Sequence, residues 1–436
     1  MDDAISIRDL KRLAADQADI LDIEIPCAEA RPEKTAIIGA GPAGLTAAYQ
    51  LARQGYQSTI FEALPVGGGM LRVGVPDYRL PPQVLDREIE AITRLGVEIR
   101  YNASLGPDLS LDDLFDQGFQ AIYLAMGAHK GMELGIPGEE AEGVSQGVRI
   151  LKEINLGQQP KLGEKVVVIG GGNVAIDTAR SIRRLGVAEV IIAYRRTRAE
   201  MPAWEEEVDA ALEEGVRIEY LVAPQQVLVE GGKIKGLRCI RMELGEPDAS
   251  GRRRPVPIPG SEFDLDVDMV VPAIGQVPVL DVLSGVEGLE FSHFGTIEAD
   301  AVTYETGRPG VFAGGDMMTG PFVAIGAVAA GNEAAKSIVR YFRGEDMKAG
   351  REPVDQDMER RWRDIPVEEK KKPRLKMPSL PVEERLKGFE EVELGFDPEL
   401  GKAEAARCIS CGICCECFRC VAACQAEAVW RVRPWK

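Results

Sequence analysis

Six cysteines near the end of this 436-residue sequence follow one another at the spacing of metal ligands. Four two-residue gaps and a final three-residue gap separate Cys408, Cys411, Cys414, Cys417, Cys420 and Cys424. The last four reproduce the C-x2-C-x2-C-x3-C run of bacterial ferredoxins, with Gln425 in place of the usual proline. The series therefore predicts one [4Fe–4S] cluster. Because Cys414 also belongs to an overlapping triad that begins at Cys408, the ligands cannot be assigned uniquely.

Two alternatives remain for these thiols. A zinc site would use two separated C-x2-C pairs rather than a tandem series. Two clusters are possible if Cys27, a non-cysteine ligand or a partner residue completes the set, because Cys415 brings the local thiols to seven. Such a dense series is unlike a disulfide framework and suits a reducing compartment, which predicts a cytoplasmic protein.

A glycine-rich turn between a strand and a helix predicts a first dinucleotide site. Gly39, Gly41 and Gly44 follow the apolar strand at 35–38, and Glu62 ends the next strand. In this fingerprint the glycines allow a tight turn, a close approach of the pyrophosphate to the helix N-terminus, and packing of helix on strand. Glu62 is expected to bind ribose hydroxyls, which disfavours a 2′-phosphate. The other predicted contacts at this turn are Pro42, Ala43 and Ala63.

A second turn repeats the design with Gly170, Gly172 and Ala175. Glu62 lies 18 residues beyond Gly44, and the same count from Ala175 reaches Ala193, which is not a carboxylate. Tyr194, Arg195 and Arg196 follow directly, and arginines at this place favour the 2′-phosphate of NADPH. NADH remains the alternative if these arginines are only surface charges. The other predicted contacts at this turn are Asn173 and Val174.

Strands alternate with helices around both turns, which predicts an α/β fold. We expect two nested Rossmann-like dinucleotide-binding domains with a C-terminal iron–sulfur segment. The predicted boundaries are an N-terminal helical arm at 1–32, the first dinucleotide domain in two parts at 33–133 and 275–340, the second dinucleotide domain at 134–274, an extended linker at 341–402, and the iron–sulfur segment at 403–436.

Composition excludes two classes of partner. A net charge of −18 and a pI near 4.8 disfavour nucleic acid, which needs clustered Lys and Arg. The longest apolar stretches, such as 323–330, are interrupted by glycine well short of the ~18 residues of a membrane helix. The first residues carry neither a basic leader nor an apolar signal core, so we expect no membrane span and no export.

Two fingerprints in one chain resemble the two-dinucleotide-binding-domain flavoproteins, and the neighbouring segments are most similar to the glutamate synthase small subunit group. GGGMLRVGVPDYRLP at 67–81 resembles the flavin-side loop of that group, and YRRTRAEMPAWEEEVDAALEEGV at 194–216 its NADPH-side segment. AMGA at 125–128 and AIGQVP at 273–278 resemble its interdomain hinges.

This resemblance implies FAD at the first turn and NADPH or NADH at the second. VFAGGD, which ends at Asp316, resembles the second flavin motif, whose aspartate holds the ribityl hydroxyls. The cofactor contacts that the resemblance adds are Gly69, Met70, Leu71, Arg79, Ala125, Gly127, Ala273, Gly275, Gly315 and Asp316.

The position of the cysteines departs from this group. In the glutamate synthase small subunit the iron–sulfur cysteines precede the FAD fingerprint, whereas here only Cys27 does, so glutamate synthesis is not carried over. The ending resembles flavoprotein subunits with a ferredoxin-like tail. The chain is therefore expected to be an NAD(P)H:acceptor oxidoreductase subunit. It would relay electrons between a nicotinamide cofactor, FAD and the cluster, to or from a ferredoxin-like or iron–sulfur partner subunit of a larger redox complex.

No side-chain acid or base is obligatory for hydride transfer, so no catalytic residue is predicted. Two alternatives are a self-sufficient flavoenzyme that reduces a small substrate directly and an assembly subunit with idle dinucleotide sites. Neither dinucleotide turn has a C-x2-C pair nearby, which disfavours disulfide reductase chemistry. His129 is predicted to be a hydrogen-bonded structural residue, and Cys239 a buried strand thiol.

Overall fold

A computed structural model of the chain describes residues 5–247, 251–351 and 373–407. The six predicted cluster cysteines lie outside the described residues. Within the described ranges, two parallel sheets accompany a three-stranded antiparallel sheet and a two-stranded ribbon. The predicted α/β fold with two nested Rossmann-like units is confirmed. The described helices are α1 (Ile7–Gln17), α2 (Pro42–Arg53), α3 (Met70–Val73), α4 (Pro82–Thr93), α5 (Leu111–Asp116), α6 (Gly147–Asn155), α7 (Asn173–Arg184), α8 (Glu205–Glu213), α9 (Asp316–Thr319), α10 (Ala324–Arg343), α11 (Val382–Arg385) and α12 (Pro398–Ala405).

The first sheet carries the first glycine turn. Its strands, in chain order, are β1 (Lys34–Ile38), β2 (Gln57–Glu62), β3 (Glu98–Tyr101), β4 (Ala121–Leu124) and β14 (Val311–Ala313). All pair in parallel, in the spatial order β14-β4-β1-β2-β3. The central strands are short apolar runs buried on both faces, as parallel sheets covered by helices require. Helices α2 and α10 pack against each other beside this sheet.

The second sheet carries the second glycine turn. It consists of β6 (Lys165–Ile169), β7 (Glu189–Tyr194), β8 (Arg217–Tyr220) and β12 (Met269–Pro272), in the parallel order β12-β6-β7-β8. Between β8 and β12 the chain forms the antiparallel sheet of β9 (Val222–Glu230), β10 (Lys233–Pro247) and β11 (Arg253–Leu265). Cys239 is buried in β10, as the sequence predicts.

The second domain is inserted between β4 and β14 of the first, and both crossings run side by side. The outgoing crossing contains β5 (Lys130–Gly131) and the returning one contains β13 (Gln276–Val277), and these strands pair antiparallel. A further hydrogen bond joins the N–H of Met132 to the carbonyl of Gly275 at 3.0 Å. The hinge segment proposed at 273–278 contains β13, whereas the one proposed at 125–128 lies just before β5.

The described ends of the chain meet around a buried glutamate. Glu404, on α12, accepts hydrogen bonds from the N–H of Ser6 at 2.8 Å and of Leu375 at 3.1 Å. Arg407 pairs with the same carboxylate at 2.5 Å. Glu404 is 0% exposed, so its charge depends on these partners. We call this group of Ser6, Leu375, Glu404 and Arg407 the clasp. Helix α1 packs on α12, so the clasp fixes the N-terminal arm beside the segment that leads to Cys408.

None of the helices in the described ranges combines the length and apolar character that crossing a bilayer requires.

Candidate dinucleotide sites

The first glycine turn holds its backbone close to the end of β4. Gly39 has a φ of 109°, and a Cβ there would lie 2.5 Å from the carbonyl oxygen of Ala125. Gly44 packs beneath the turn, where a Cβ would lie 2.0 Å from the carbonyl oxygen of Gly39. Helix α2 begins at Pro42 directly after Gly41, so its N-terminus opens above the turn. Such an N-terminus favours a pyrophosphate.

A cleft of about 300 Å³ lies over this turn. Most of the residues predicted to contact the first dinucleotide line it, whereas Gly44, Leu71 and Arg79 do not. Those that do are Gly39, Gly41, Pro42, Ala43, Glu62, Ala63, Gly69, Met70, Ala125, Gly127, Gly315 and Asp316. The loop at 67–69 reaches the turn directly, since a Cβ on Gly69 would lie 2.7 Å from the Cα of Gly41.

Two carboxylates face the cleft from opposite sides of the turn. Glu62 ends β2, and its oxygens accept the N–H of Ala40 at 2.7 Å and of Leu64 at 2.8 Å. Asp316 follows β14, and burial raises its pKa to about 6. Three strand spacings separate β14 from β2, so the ends of the two strands lie roughly 14 Å apart across the sheet. A ligand that meets both carboxylates has to extend across several strands of the sheet, as an extended dinucleotide can.

Two ionisable residues of the cleft were missed by the sequence analysis. His129 lies just after the first hinge segment, and burial together with the nearby Lys152 lowers its pKa to about 4. The predicted structural role for His129 is therefore incomplete, because its side chain lines the cleft. Lys152 comes from α6, in the second domain. Nothing in the local sequence around Lys152 indicates a site, because only the packing of the two domains brings it there.

The second glycine turn reproduces the hydrogen bonds of the first. The N–H of Gly39 donates to the carbonyl of Phe61, and that of Gly170 to the carbonyl of Ala193. A Cβ on Gly170 would lie 2.3 Å from the carbonyl oxygen of Ala273, just as Gly39 approaches Ala125. Gly172 precedes α7, which begins at Asn173. The remaining predicted residues of this turn, Val174 and Ala175, lie in the first turn of α7, and Ala175 is buried against the sheet core.

The structural counterpart of Glu62 is Tyr194. The prediction of Ala193, reached by counting along the sequence, is wrong by one residue. Ile38 pairs with Phe61 and Ile169 with Ala193, so Glu62 and Tyr194 occupy the same next position. The segment between the third position of the turn and the end of the next strand is one residue longer at the second site than at the first. The count from the sequence assumed equal lengths. The Tyr194 ring packs on Gly171, where a Cβ would lie 2.4 Å from it. An aromatic ring thus takes the place of the ribose-binding carboxylate.

The two predicted arginines differ in their surroundings. Arg195 is exposed, and no hydrogen bond or ion pair joins it to another described residue. Arg196 is buried, and its Nε donates to the carbonyl of Arg253 on β11 at 2.8 Å. Arg195 therefore has its guanidinium available beyond the end of β7, while Arg196 ties β7 to the hairpin of β10 and β11.

Arg79 belongs to an ion cluster between the two domains. Its Nη1 lies 2.9 and 2.7 Å from the two carboxylate oxygens of Asp177, and its Nε lies 3.3 Å from Glu207. In the same cluster Arg180 pairs with Glu207, and Glu214 pairs with Arg180 at 2.7 Å and Arg184 at 2.5 Å. Three guanidinium groups thus meet three carboxylates. Arg180 and Arg184 also lie over the ring of Tyr78, 4.8 and 3.9 Å from its centroid.

The described thiols give no support to dithiol chemistry at the cleft. Cys27 is exposed and Cys239 is buried, and both are free. Neither lines the cleft. Burial raises the pKa of Cys239 to about 12, which leaves it a neutral thiol at pH 7. Among the described residues no group of His, Cys, Asp and Glu has the arrangement of a metal site.

Comparisons with known proteins match most of the chain. The family model described as pyridine nucleotide-disulphide oxidoreductase matches residues 33–335. A relative named NADP(+)-dependent formate dehydrogenase subunit beta, from Moorella thermoacetica, is 50% identical over 87% of this chain and 54% of its own length. A relative named putative glutamate synthase [NADPH] small chain, from Cereibacter sphaeroides, is 38% identical over 71% of this chain and 77% of its own length.

Solved structures confirm the fold. FprA from Mycobacterium tuberculosis, determined in complex with NADPH, superposes with a TM-score of 0.62 at 21% identity, over 72% of this chain and 85% of FprA. At that identity the likeness concerns the fold alone. The chain spans about half the length of the formate dehydrogenase subunit that it matches.

Proposed function

The chain belongs to the pyridine nucleotide-disulphide oxidoreductase family, and on that premise we propose that it relays electrons between NADPH, FAD and an iron–sulfur cluster within a larger redox complex. The resemblance to glutamate synthase small subunits is confirmed. The observation that carries the proposal is the pair of matching dinucleotide turns in one chain, one of them under a cleft that carries two carboxylates.

The residues of the first cleft fit FAD. Glycines at 39 and 69 leave room where side chains would collide with backbone, and the N-terminus of α2 suits a pyrophosphate. Glu62 would hold the adenosine ribose, and Asp316 the ribityl hydroxyls at the other side of the turn. When bound, the flavin accepts a hydride from a nicotinamide and releases electrons singly. The protein supplies binding, orientation and charge, and no described side chain has to move a proton.

The second turn favours NADPH over NADH. With Tyr194 in place of a carboxylate, this turn offers no acceptor for a free 2′-hydroxyl. Arg195 is exposed next to it and can pair with a 2′-phosphate. Both relatives described above carry NADP or NADPH in their names. Ala273 and Gly275 follow β12 beside this turn and would lie on the nicotinamide side.

The [4Fe–4S] cluster and its partner rest on the cysteine series. Cys414, Cys417, Cys420 and Cys424 have the ferredoxin spacing, and the relatives named above are a subunit and a chain of larger enzymes. We infer that the cluster passes electrons to or from a ferredoxin-like or iron–sulfur subunit. A cytoplasmic location, inferred from the density of thiols, stays a prediction.

Anaerobic stopped-flow spectroscopy of the purified full-length protein tests this function. We expect NADPH to bleach the flavin first and the cluster absorbance second, faster than NADH does. Arg195→Gln should lower the rate constant for NADPH at least tenfold at subsaturating nucleotide while leaving NADH unchanged, because one charged hydrogen bond contributes about 1.5–3 kcal/mol. Arg100→Gln, exposed on β3, is the control. A flavin that neither nucleotide reduces would refute the relay, and equal effects of Arg195→Gln on both nucleotides would refute the NADPH assignment.

A further inference from the structure

Lys152 is the only Lys or Arg among the described residues that line the cleft over the first glycine turn, which we call the FAD cleft. The other ionisable residues of the lining are Glu62, Asp316 and His129. His129 has its pKa lowered to about 4, chiefly by burial, so it is neutral at pH 7. Lys152 is half-buried, and no described carboxylate forms an ion pair with it. An unpaired ammonium in a partly enclosed cleft is costly unless a ligand supplies negative charge.

Hydrogen bonds at both ends of α6, the helix that carries Lys152, fix it against the first domain and the hinge ribbon. At its C-terminus, the Asn155 amide donates to the carbonyls of Arg72 at 3.2 Å and Val75 at 2.9 Å, in the flavin-side loop of the first domain. Just before its first residue, the Gln146 amide donates to the carbonyl of Gly131 in the hinge ribbon at 2.8 Å. The second domain therefore presents Lys152 to the cofactor of the first domain in a fixed position.

The geometry indicates which part of the dinucleotide Lys152 meets. Glu62 marks the adenosine side of the turn, and the N-terminus of α2 at Pro42 marks the pyrophosphate. Lys152 and His129 line the same cleft, and the ammonium of Lys152 is near enough to disfavour protonation of His129. His129 follows the hinge segment after β4. Since β4 lies beside β14 and on the opposite side of β1 from β2, the chain leaves β4 on the Asp316 side of the turn. We therefore assign His129 and its neighbour Lys152 to that side of the cleft.

We propose that Lys152 is an electrostatic tuning residue that stabilises the reduced form of the FAD over the oxidised form. This inference rests on the proposed binding of FAD at this cleft. Uptake of a hydride, a proton with two electrons, breaks the nicotinamide C–H bond, forms a flavin N–H bond and adds one unit of negative charge to the cofactor. A fixed ammonium nearby favours that charge, and fixed charges near a flavin are a principal means by which proteins set its potential.

The test compares the affinities of both redox forms of FAD for the full-length protein and three variants. Lys152→Met removes the charge and keeps most of the volume, Lys152→Arg keeps the charge, and Lys161→Met is a control at an exposed loop lysine. We expect Lys152→Met to weaken binding of reduced FAD about tenfold more than binding of oxidised FAD. For a two-electron couple, that ratio equals a midpoint potential about 30 mV more negative. Lys152→Arg and Lys161→Met should retain the wild-type potential.

Other outcomes overturn the inference. If Lys152→Met weakens both redox forms equally, the lysine binds the pyrophosphate or supports packing, and no tuning occurs. If Lys152→Met changes neither affinity, the ammonium does not reach the cofactor. Should the variant lose FAD during purification, reconstitution with each redox form still yields the two affinities. Failure of the wild-type protein itself to bind FAD would instead refute the proposed function.

Discussion

Replacing Arg79 with methionine is expected to make stability depend on pH in a specific way. The substitution keeps an apolar stem and removes the guanidinium that pairs with Asp177 at 2.9 and 2.7 Å. The charged groups that face Asp177 are Arg79, Glu207 and Arg180. With Arg79 gone, the buried carboxylate of Asp177 keeps a repulsive neighbour in Glu207 and loses its direct partner.

The direction follows from the pKa of Asp177. Burial raises this pKa from 3.8 to about 6 in the folded protein even with Arg79 present. Because Asp177 ionises first in the unfolded chain, its contribution to wild-type stability falls as pH rises from about 4 to about 6 and then levels off. Without Arg79 the folded pKa moves higher, so the stability of the variant continues to fall above pH 6.

The size of the effect follows from the linkage between protonation of Asp177 and the free energy of unfolding. The free energies of unfolding of the wild type and the variant should diverge by about 1.4 kcal/mol for each pH unit above about 6, until the new pKa is reached. At pH 8 this amounts to at most about 3 kcal/mol. Below about pH 5 the difference should be constant, because Asp177 is largely protonated in both folded proteins and only the loss of the Arg79–Glu207 contact remains.

Urea unfolding at a series of pH values from about 5 to 8, followed by circular dichroism and flavin fluorescence, measures the difference. The control is the double variant Arg79→Met with Asp177→Asn, in which the carboxylate is absent and the divergence above pH 6 should vanish. A difference between Arg79→Met and wild type that stays constant across this range would refute the reasoning, since Asp177 would then not be the group that responds.

Two further predictions concern packing and the chain ends. Gly171→Ala places a Cβ against the Tyr194 ring and should lower the free energy of unfolding by about 1–3 kcal/mol. Adding Tyr194→Ala should recover part of this loss, and strictly additive losses in urea unfolding would contradict the contact. Glu404→Ala leaves the N–H groups of Ser6 and Leu375 without their acceptor, at about 1–3 kcal/mol each. Amide exchange in α1 should then rise at least tenfold, with no change for the exposed Glu399→Ala on the same helix; equal exchange in both variants would show that the clasp does not hold α1.

The sequence predicted correctly those features whose residues lie close together along the chain. Each glycine turn, with its strand and helix, lies within about twenty residues, so the backbone constraints that define it appear as a contiguous pattern. The strand register was not accessible in this way. Counting residues assumed equal connections, and the extra residue before β7 moved the equivalent of Glu62 from Ala193 to Tyr194.

Residues that act across the domain boundary could not be predicted. Lys152 and His129 reach the cleft only because α6 packs on the flavin-side loop, a contact between residues about 80 positions apart. Arg79 was expected at the cofactor because its segment resembles the flavin-side loop of the glutamate synthase small subunit group, but its guanidinium pairs with Asp177 and Glu207. The position of a charged side chain in such a cluster depends on the residues with which it forms ion pairs. A single sequence does not show which residues those are.

The ribbon of β5 and β13 limits how the second domain can move. A domain attached through one strand can swivel about several axes, whereas two strands joined to each other by hydrogen bonds allow mainly a twist along the ribbon. Such a twist would also have to break the hydrogen bonds of Asn155 to the flavin-side loop and the ion pair of Arg79 with Asp177, so these contacts hold α6 against the first domain. As long as these contacts hold, the ammonium of Lys152 keeps its place in the cleft, so the position of the nucleotide-binding domain and the electron affinity of the cofactor are coupled through α6.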